Sequence, residues 1–289
     1  MRLRLLRACS RLAYRVRGLA RLAEVHRRWW ARRPRTVWID DFDGDLVFRC
    51  ELGEHMGSQI FWRGSYSWPL LRHLATRLEP EMVFVDAGAN HGELTLFAAK
   101  RLVRGRVIAF EPSQAIFERL EANLAANPTL RAELVPMGLS DAPGHAVLHA
   151  SAARFEDGTE HHGLPSMYPI DSSFAPTHAI ELVTLDGYLA AHPVERLDWL
   201  KVDVEGAELA LLRGAAATIA RWRPRILIEV NEATARAAGG SAREVVEWLV
   251  ASGYDLFELD DYGCAAPLAI SDVRGFHNVL AAPRPSPVR

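Results

Sequence analysis

Residues 82–92 read Met82-Val83-Phe84-Val85-Asp86-Ala87-Gly88-Ala89-Asn90-His91-Gly92. An apolar run of strand length ends on an acid, two glycines follow four residues apart, and a helical pattern starts at Glu93. A short run that is apolar on both faces marks a buried parallel strand, and the turn after such a strand is where an open α/β sheet meets its ligand. Gly88 and Gly92 are expected to let the backbone approach that ligand closely. The dinucleotide pattern G-x-G-x-x-G is absent, and Asp86 would set a carboxylate where a pyrophosphate sits. An acid there suits a ligand with a cationic amino-acid end.

Downstream, Arg106-Val107-Ile108-Ala109-Phe110-Glu111 closes a second strand on another acid, 25 residues after Asp86. A carboxylate at that point can accept both hydroxyls of a ribose, so the pair predicts an adenosyl ligand. The same alternation continues with a helix over 114–126, strands at 133–136 and 199–204, a helix over 207–220, a strand at 226–230, a helix over 242–251, and strands at 255–259 and 277–280. Strands separated by helices of this length predict right-handed crossovers and a doubly wound, mostly parallel α/β sheet. Upstream, residues 36–52 alternate around Asp43-Gly44 as a β-hairpin, and 67–78 are helical. Four segments result: a basic helical arm at 1–35, a hairpin and helix at 36–80, the main α/β domain at 81–282, and a Pro-rich tail at 283–289 expected to be disordered.

Trp199-Leu200-Lys201-Val202-Asp203-Val204-Glu205 sets three ionisable side chains on alternate positions of a central strand, with Glu208 following on the next helix. Charges in a buried strand are costly unless they are paired or border a cavity. Glu229 and Asn231 share a parity in the following strand, so a polar cleft beside the adenosyl site is predicted. The gap at 151–177, rich in Gly, Ser and Pro, is expected to cover that cleft as a lid, with Trp62, Trp68, Tyr168 and Phe174 as candidate lining. His91, inside the glycine loop, and the pair His161-His162 are weaker candidates.

Charge is unevenly distributed. Residues 1–35 hold 12 of the 34 Lys+Arg and a single acid, Glu24, giving +11 and leaving −13 for the remaining 254 residues. A mildly acidic body argues against duplex nucleic acid as the main partner. In the arm, Leu5, Cys9, Leu12, Val16, Leu19, Ala23 and Trp30 fall on one helical stripe, with Arg4, Arg7, Arg11, Arg15 and Arg21 largely elsewhere. The pattern fits a helix packed on the body with solvated arginines, a membrane-surface helix, or a transit peptide. Three scattered cysteines suggest a reducing, cytoplasmic compartment and exclude a disulfide scaffold or thiolate zinc site. No membrane span, secretory signal, P-loop or serine-hydrolase elbow is found.

Taken in order, VFVDAGANHGELTL, AFEPS, GLSD, VTLDGYL, DWLKVDVEGAELALLRGA and PRILIEVNE resemble the FkbM family of S-adenosylmethionine-dependent methyltransferases over about residues 59–280. The resemblance implies a seven-stranded class I sheet, Rossmann-like with its last strand antiparallel, and O-methylation of a hydroxyl on a sugar, glycan, lipid or other natural product. It implies that Asp86, Gly88, Asn90 and Gly92 hold the methionine end of S-adenosyl-L-methionine, Glu111 the ribose, and Asp141 the adenine side. Ser67 stands where the family usually has a glutamate. Asp203 and Glu229 are the candidate general bases, with Lys201 holding a carboxylate ionised or orienting the acceptor. No metal site is assigned; a divalent cation on Asp203, Glu229 and Asn231 is the alternative, and a non-catalytic ligand-binding scaffold is the other. The arm lies outside the family-like region and is expected to govern location instead of chemistry.

Overall fold

The structure is a computed structural model describing residues 2–16, 19–33, 35–151, 155, 157–160 and 165–285. Strands β1 (Thr36–Phe42) and β2 (Leu46–Glu51) form the hairpin. The main strands are β3 (Val83–Ala87), β4 (Arg106–Phe110), β5 (Glu133–Val135), β9 (Trp199–Val202), β10 (Arg225–Asn231), β11 (Tyr254–Leu259) and β13 (Phe276–Pro283). A small second sheet is made by β6 (Gly138–Leu139), β7 (Gly144–Ser151) and β8 (Phe174–Val183), and β12 (Ala265–Pro267) is a short edge strand.

The large sheet runs β12-β11-β13-β10-β9-β3-β4-β5. β3 pairs in parallel with both β4 and β9, and β13 inserts antiparallel between β10 and β11. The expected doubly wound sheet with an antiparallel last strand is therefore present, with β12 added as an eighth strand. The order reverses between β3 and β9, which puts the crevice for a ligand at their carboxyl ends.

Alternation along the strands sends side chains to two packed layers. Val83, Val85, Leu200, Val202 and Ile228 join one core cluster; Phe84, Trp199, Leu227 and Leu280 join the other. The hairpin residues Ile39, Phe48 and Cys50 and the helical residues Ile60, Trp62 and Leu74 belong to that second cluster, so residues 36–80 pack on that face of the sheet beside the helix Glu93–Arg101, whose Leu94, Leu96 and Phe97 join them. Asp86, Lys201 and Glu229 share the parity of this face. The floor of the polar cleft is thus roofed by chain lying upstream of the glycine motif.

The arm is two helices, Arg2–Arg15 and Ala20–Ala31, instead of one. On the second helix Ala23 is buried and Trp30 packs against the core, as the stripe predicts, but along residues 5–19 the orientation is the reverse. Leu5, Cys9, Leu12, Val16 and Leu19 are exposed, whereas Arg7 and Arg27 are buried. Arg7 donates to the Phe61 carbonyl (2.8 Å) and pairs with Asp41 (2.5 Å), and Arg27 pairs with Glu24 (2.6 Å) and Asp157 (2.5 Å). Charge-assisted bonds of this kind are stronger than neutral ones and draw these two arginines inward. The tail residues 286–289 and the pair His161-His162 lie outside the described residues.

Candidate active site

A cavity opens at the carboxyl ends of β3, β4 and β9. Its wall includes Gly88, Asn90, Phe110, Glu111, Pro112, Met137, Leu139, Leu182, Asp203, Val204 and Glu205. A second cavity, on the face roofed by residues 36–80, is bordered by His55, Gln59, Tyr66, Ser67, Lys201, Asp203, Glu229, Phe276 and Asn278. Tyr66, Asp203 and Glu229 belong to both walls. The two spaces therefore meet at one hydroxyl and two carboxyls.

Glu111 directly follows strand β4. Its carboxylate accepts the backbone N–H groups of Asn90 and Ser113, both at 2.9 Å, while the residue borders the cavity. Burial pushes its pKa up to about 7 even though those two N–H groups favour the ionised form. Asn90 adopts φ 51° and its side-chain oxygen accepts from the His91 N–H; asparagine tolerates this left-handed conformation better than most residues.

Asp86 is placed differently from the sequence reading. It is fully buried and absent from the cavity wall, accepting from Thr95 Oγ1 at 2.7 Å and lying 3.4 Å from Lys201 Nζ. The cause is register: Asp86 stands directly beside Lys201 across the parallel β3–β9 pair. Lys201 Nζ donates to the Gly88 carbonyl at 2.5 Å and lies 3.3 Å from Asp203 Oδ2. Burial opposes the ammonium, but Asp203 and Asp86 outweigh it and raise the Lys201 pKa. Asp86 thus holds Lys201, and Lys201 holds the glycine loop and Asp203 together, instead of Asp86 meeting a ligand.

The glycines divide their tasks as well. At Gly88, φ +78°, an added Cβ would fall 1.8 Å from the Asp203 carbonyl oxygen, so the missing side chain makes room for the turn after β9. At Gly92, φ +89°, it would fall 2.5 Å from Leu120 Cδ1, so this glycine permits helix packing and lies off the cavity wall. Asp141 is exposed and likewise off that wall, where Met137 and Leu139 stand instead; the adenine-side assignment is not supported by this geometry.

Strand β9 ends at Val202, two residues earlier than its alternation suggests. Glu205 reaches the site through a turn in which it takes φ 49°. There its carboxylate joins those of Asp203 and Glu229, with oxygens of all three within 4.8 Å of one another. Burial first, then the neighbouring acids, raise the pKa values of Glu205 and Glu229. Asn231 lines neither cavity; its side chain caps the helix Glu232–Ala237 by accepting from the Ala233 N–H.

Tyr66 was missed by the sequence reading. Its backbone N–H, the Ser65 hydroxyl and the Ser67 N–H all donate to buried Glu93, at 2.7–2.9 Å. Glu93 is the first residue of the helix after the glycine loop, so a signal existed in the acid directly following Gly92. Burial, then Glu229 and Asp203, raise the Tyr66 pKa well above that of a free phenol. Of the four aromatics expected to line the acceptor space, Trp62 is core, and Trp68, Tyr168 and Phe174 stand off both walls. His91 is also away from them, packed between Arg119 (3.1 Å) and Glu54 (3.8 Å), with its pKa lowered to about 3 by burial and Arg119. Within the 151–177 segment, Asp157 lies 3.3 Å from His55 and bonds Arg27, so the arm reaches the edge of the second cavity.

These buried acids predict a pH effect on stability. Glu54 and Glu111 are pushed up to about 7 and Glu205 is raised as well, chiefly by burial. The unfolded chain then gives up these protons at lower pH than the folded one, and stability falls as pH rises through the folded values. His91 works in the opposite sense, but only below its ordinary value of 6.5. The Tm of the ligand-free protein should therefore drop by about 5 °C between about pH 6.5 and 8; calorimetry showing a constant or rising Tm over that interval would refute it.

A family model described as Methyltransferase FkbM domain matches residues 86–256. The AMB antimetabolite synthetase AmbE of Pseudomonas aeruginosa is 32% identical over 208 residues, covering 62% of this chain and 10% of that protein. Methyltransferase 1 of Beauveria bassiana is 32% identical over 146 residues, covering 45% of this chain and 57% of that protein. The match thus spans a tenth of the first relative and under three fifths of the second. A crystal structure of a methyltransferase FkbM from Methylobacillus flagellatus aligns at 15% identity with a TM-score of 0.48, covering 78% of this chain and 52% of that one. The family match begins on Asp86 near the end of β3, takes in the Glu111 and Asp203 loops and Glu229, and extends over more than half of the sequence: the chain belongs to the FkbM methyltransferase family.

Proposed function

We propose that this chain transfers a methyl group from S-adenosyl-L-methionine to a hydroxyl of a sugar, glycan, lipid or other natural product. The observation that carries the reading is the meeting of two cavities at Tyr66, Asp203 and Glu229. The first fits the donor: Glu111 offers carboxylate oxygens to a diol, and Pro112, Met137 and Leu139 offer apolar surface to a flat base. When bound, the donor supplies a methyl group on a sulfonium, activated for in-line displacement.

The residues of the chain then have separable tasks. The acceptor hydroxyl enters through the second cavity and must lose its proton as the new C–O bond forms. Asp203 or Glu229 can take that proton. Burial and the neighbouring acids bias Glu229 toward its protonated form, and Lys201 stands 3.3 Å from Asp203, which favours Asp203 as base. Tyr66, pinned through its backbone to Glu93, donates or accepts a hydrogen bond at the junction and fixes the angle of approach.

A second reading has one observation in its favour: the Asp203, Glu205 and Glu229 oxygens are close enough to share a hard divalent cation that would acidify the acceptor. One set of measurements tests both. Calorimetric titration should show S-adenosylmethionine binding that Glu111→Gln weakens about tenfold or more, by loss of charge-assisted bonds to the ribose. Absence of binding to the unaltered chain would refute the donor assignment. Turnover of a hydroxylated acceptor that survives EDTA selects the carboxylate base, whereas loss on EDTA and recovery with Mg²⁺ selects the cation.

A further inference from the structure

The outer face of the arm is an apolar surface edged with arginine. On the first helix Leu5 (70% exposed) and Leu12 (64%) recur at helical spacing, with exposed Val16 just past its end; on the second, Leu22 (67%), Val25 (67%) and Trp29 do so. Arg21, Arg28, Arg32 and Arg33 are exposed beside them, and the Arg33 guanidinium lies 3.6 Å from the centre of the Trp29 ring. Among the described residues nothing covers this face. The helices cannot simply roll over to hide it, because buried Arg7 and Arg27 fix their other side to Phe61, Asp41 and Asp157.

We propose that this face docks on an anionic phospholipid bilayer. Leucine, valine and tryptophan on one helical stripe, with arginine on its flanks, are the composition of helices that lie in the membrane interface, where aliphatic groups enter the acyl boundary and guanidinium groups meet phosphates. Charge selects this occupant over a second copy of the chain. Two such faces would set the exposed Arg21, Arg28, Arg32 and Arg33 of one copy against those of the other, whereas an anionic surface is complementary to these arginines and repels the acidic body. The same opposition orients the docked protein, with the arm down and the acidic sheet away. No described helix is long and apolar enough to cross the bilayer, so the contact is peripheral.

The test is co-sedimentation of the full chain with vesicles of phosphatidylcholine, with and without phosphatidylglycerol. Binding should require phosphatidylglycerol, weaken with added salt, and fall about tenfold or more in a Leu22→Glu, Val25→Glu double variant. Both positions are exposed, so the variant should keep its thermal transition; if it does not, Trp29→Ala serves as the second probe with the same expected loss. Three results would overturn the proposal: no sedimentation with anionic vesicles, sedimentation unaffected by both variants, or a dimer by light scattering that Leu22→Glu, Val25→Glu dissolves.

Discussion

Asp203→Asn should lower the methyl-transfer rate by about 10²- to 10⁴-fold while leaving donor affinity within about threefold. Asparagine keeps the size of the side chain and removes its charge, and with it the capacity to take a proton. The substitution should be tolerated by the fold, because Lys201 retains Asp86 at 3.4 Å and the Gly88 carbonyl at 2.5 Å, so no buried ammonium is left without a partner. The loss should appear in kcat in single-turnover measurements on a hydroxylated acceptor, with Glu229→Gln giving a smaller one. If Asp203→Asn turns over normally and Glu229→Gln does not, the two assignments exchange; if neither changes kcat, the carboxylate base is wrong.

Gly88→Ala should be the most destabilising single-methyl change in the site, costing more than about 4 kcal/mol and lowering Tm by about 10 °C or more. Two costs combine. Alanine at φ +78° is in the left-handed region, and its Cβ would overlap the Asp203 carbonyl at 1.8 Å, a backbone atom that cannot rotate away. Relief requires the β9 turn to retreat, which moves Asp203 and loosens the Lys201 bond to residue 88. Gly144→Ala, with nothing within 4 Å of its added carbon, is the control and should shift stability by less than about 0.5 kcal/mol. Equal unfolding midpoints for the two variants would show that the approach of the two loops is not constrained as described.

The arm changes in meaning as well. Its Arg27 holds Asp157, which lies against His55 at the wall of the second cavity. Residues 1–35 are therefore joined to the wall of the second cavity, and their removal would expose apolar and polar groups of the body that Arg7, Arg27 and Trp30 now cover.

What could be read from the sequence was whatever repeats locally. The apolar runs ending on Asp86 and Glu111, the helical stretches between strands, and the polar residues at 201, 203 and 229 follow from period-2 and period-3.6 geometry, which is set by backbone dihedrals alone. The doubly wound sheet and the position of Glu111 were legible for that reason. Pairings across the fold were not. Asp86 meets Lys201 because β3 and β9 adopt one register out of several; Glu205 arrives through a left-handed turn that breaks the alternation; and Tyr66 is delivered by Glu93, 27 positions away. The arm has a stripe that any helical wheel displays, but which side faces inward was decided by where Asp41, Phe61 and Asp157 stand once the body has folded. Periodicity identifies the faces of an element, while only packing and hydrogen-bond partners distant in the chain determine what each face meets.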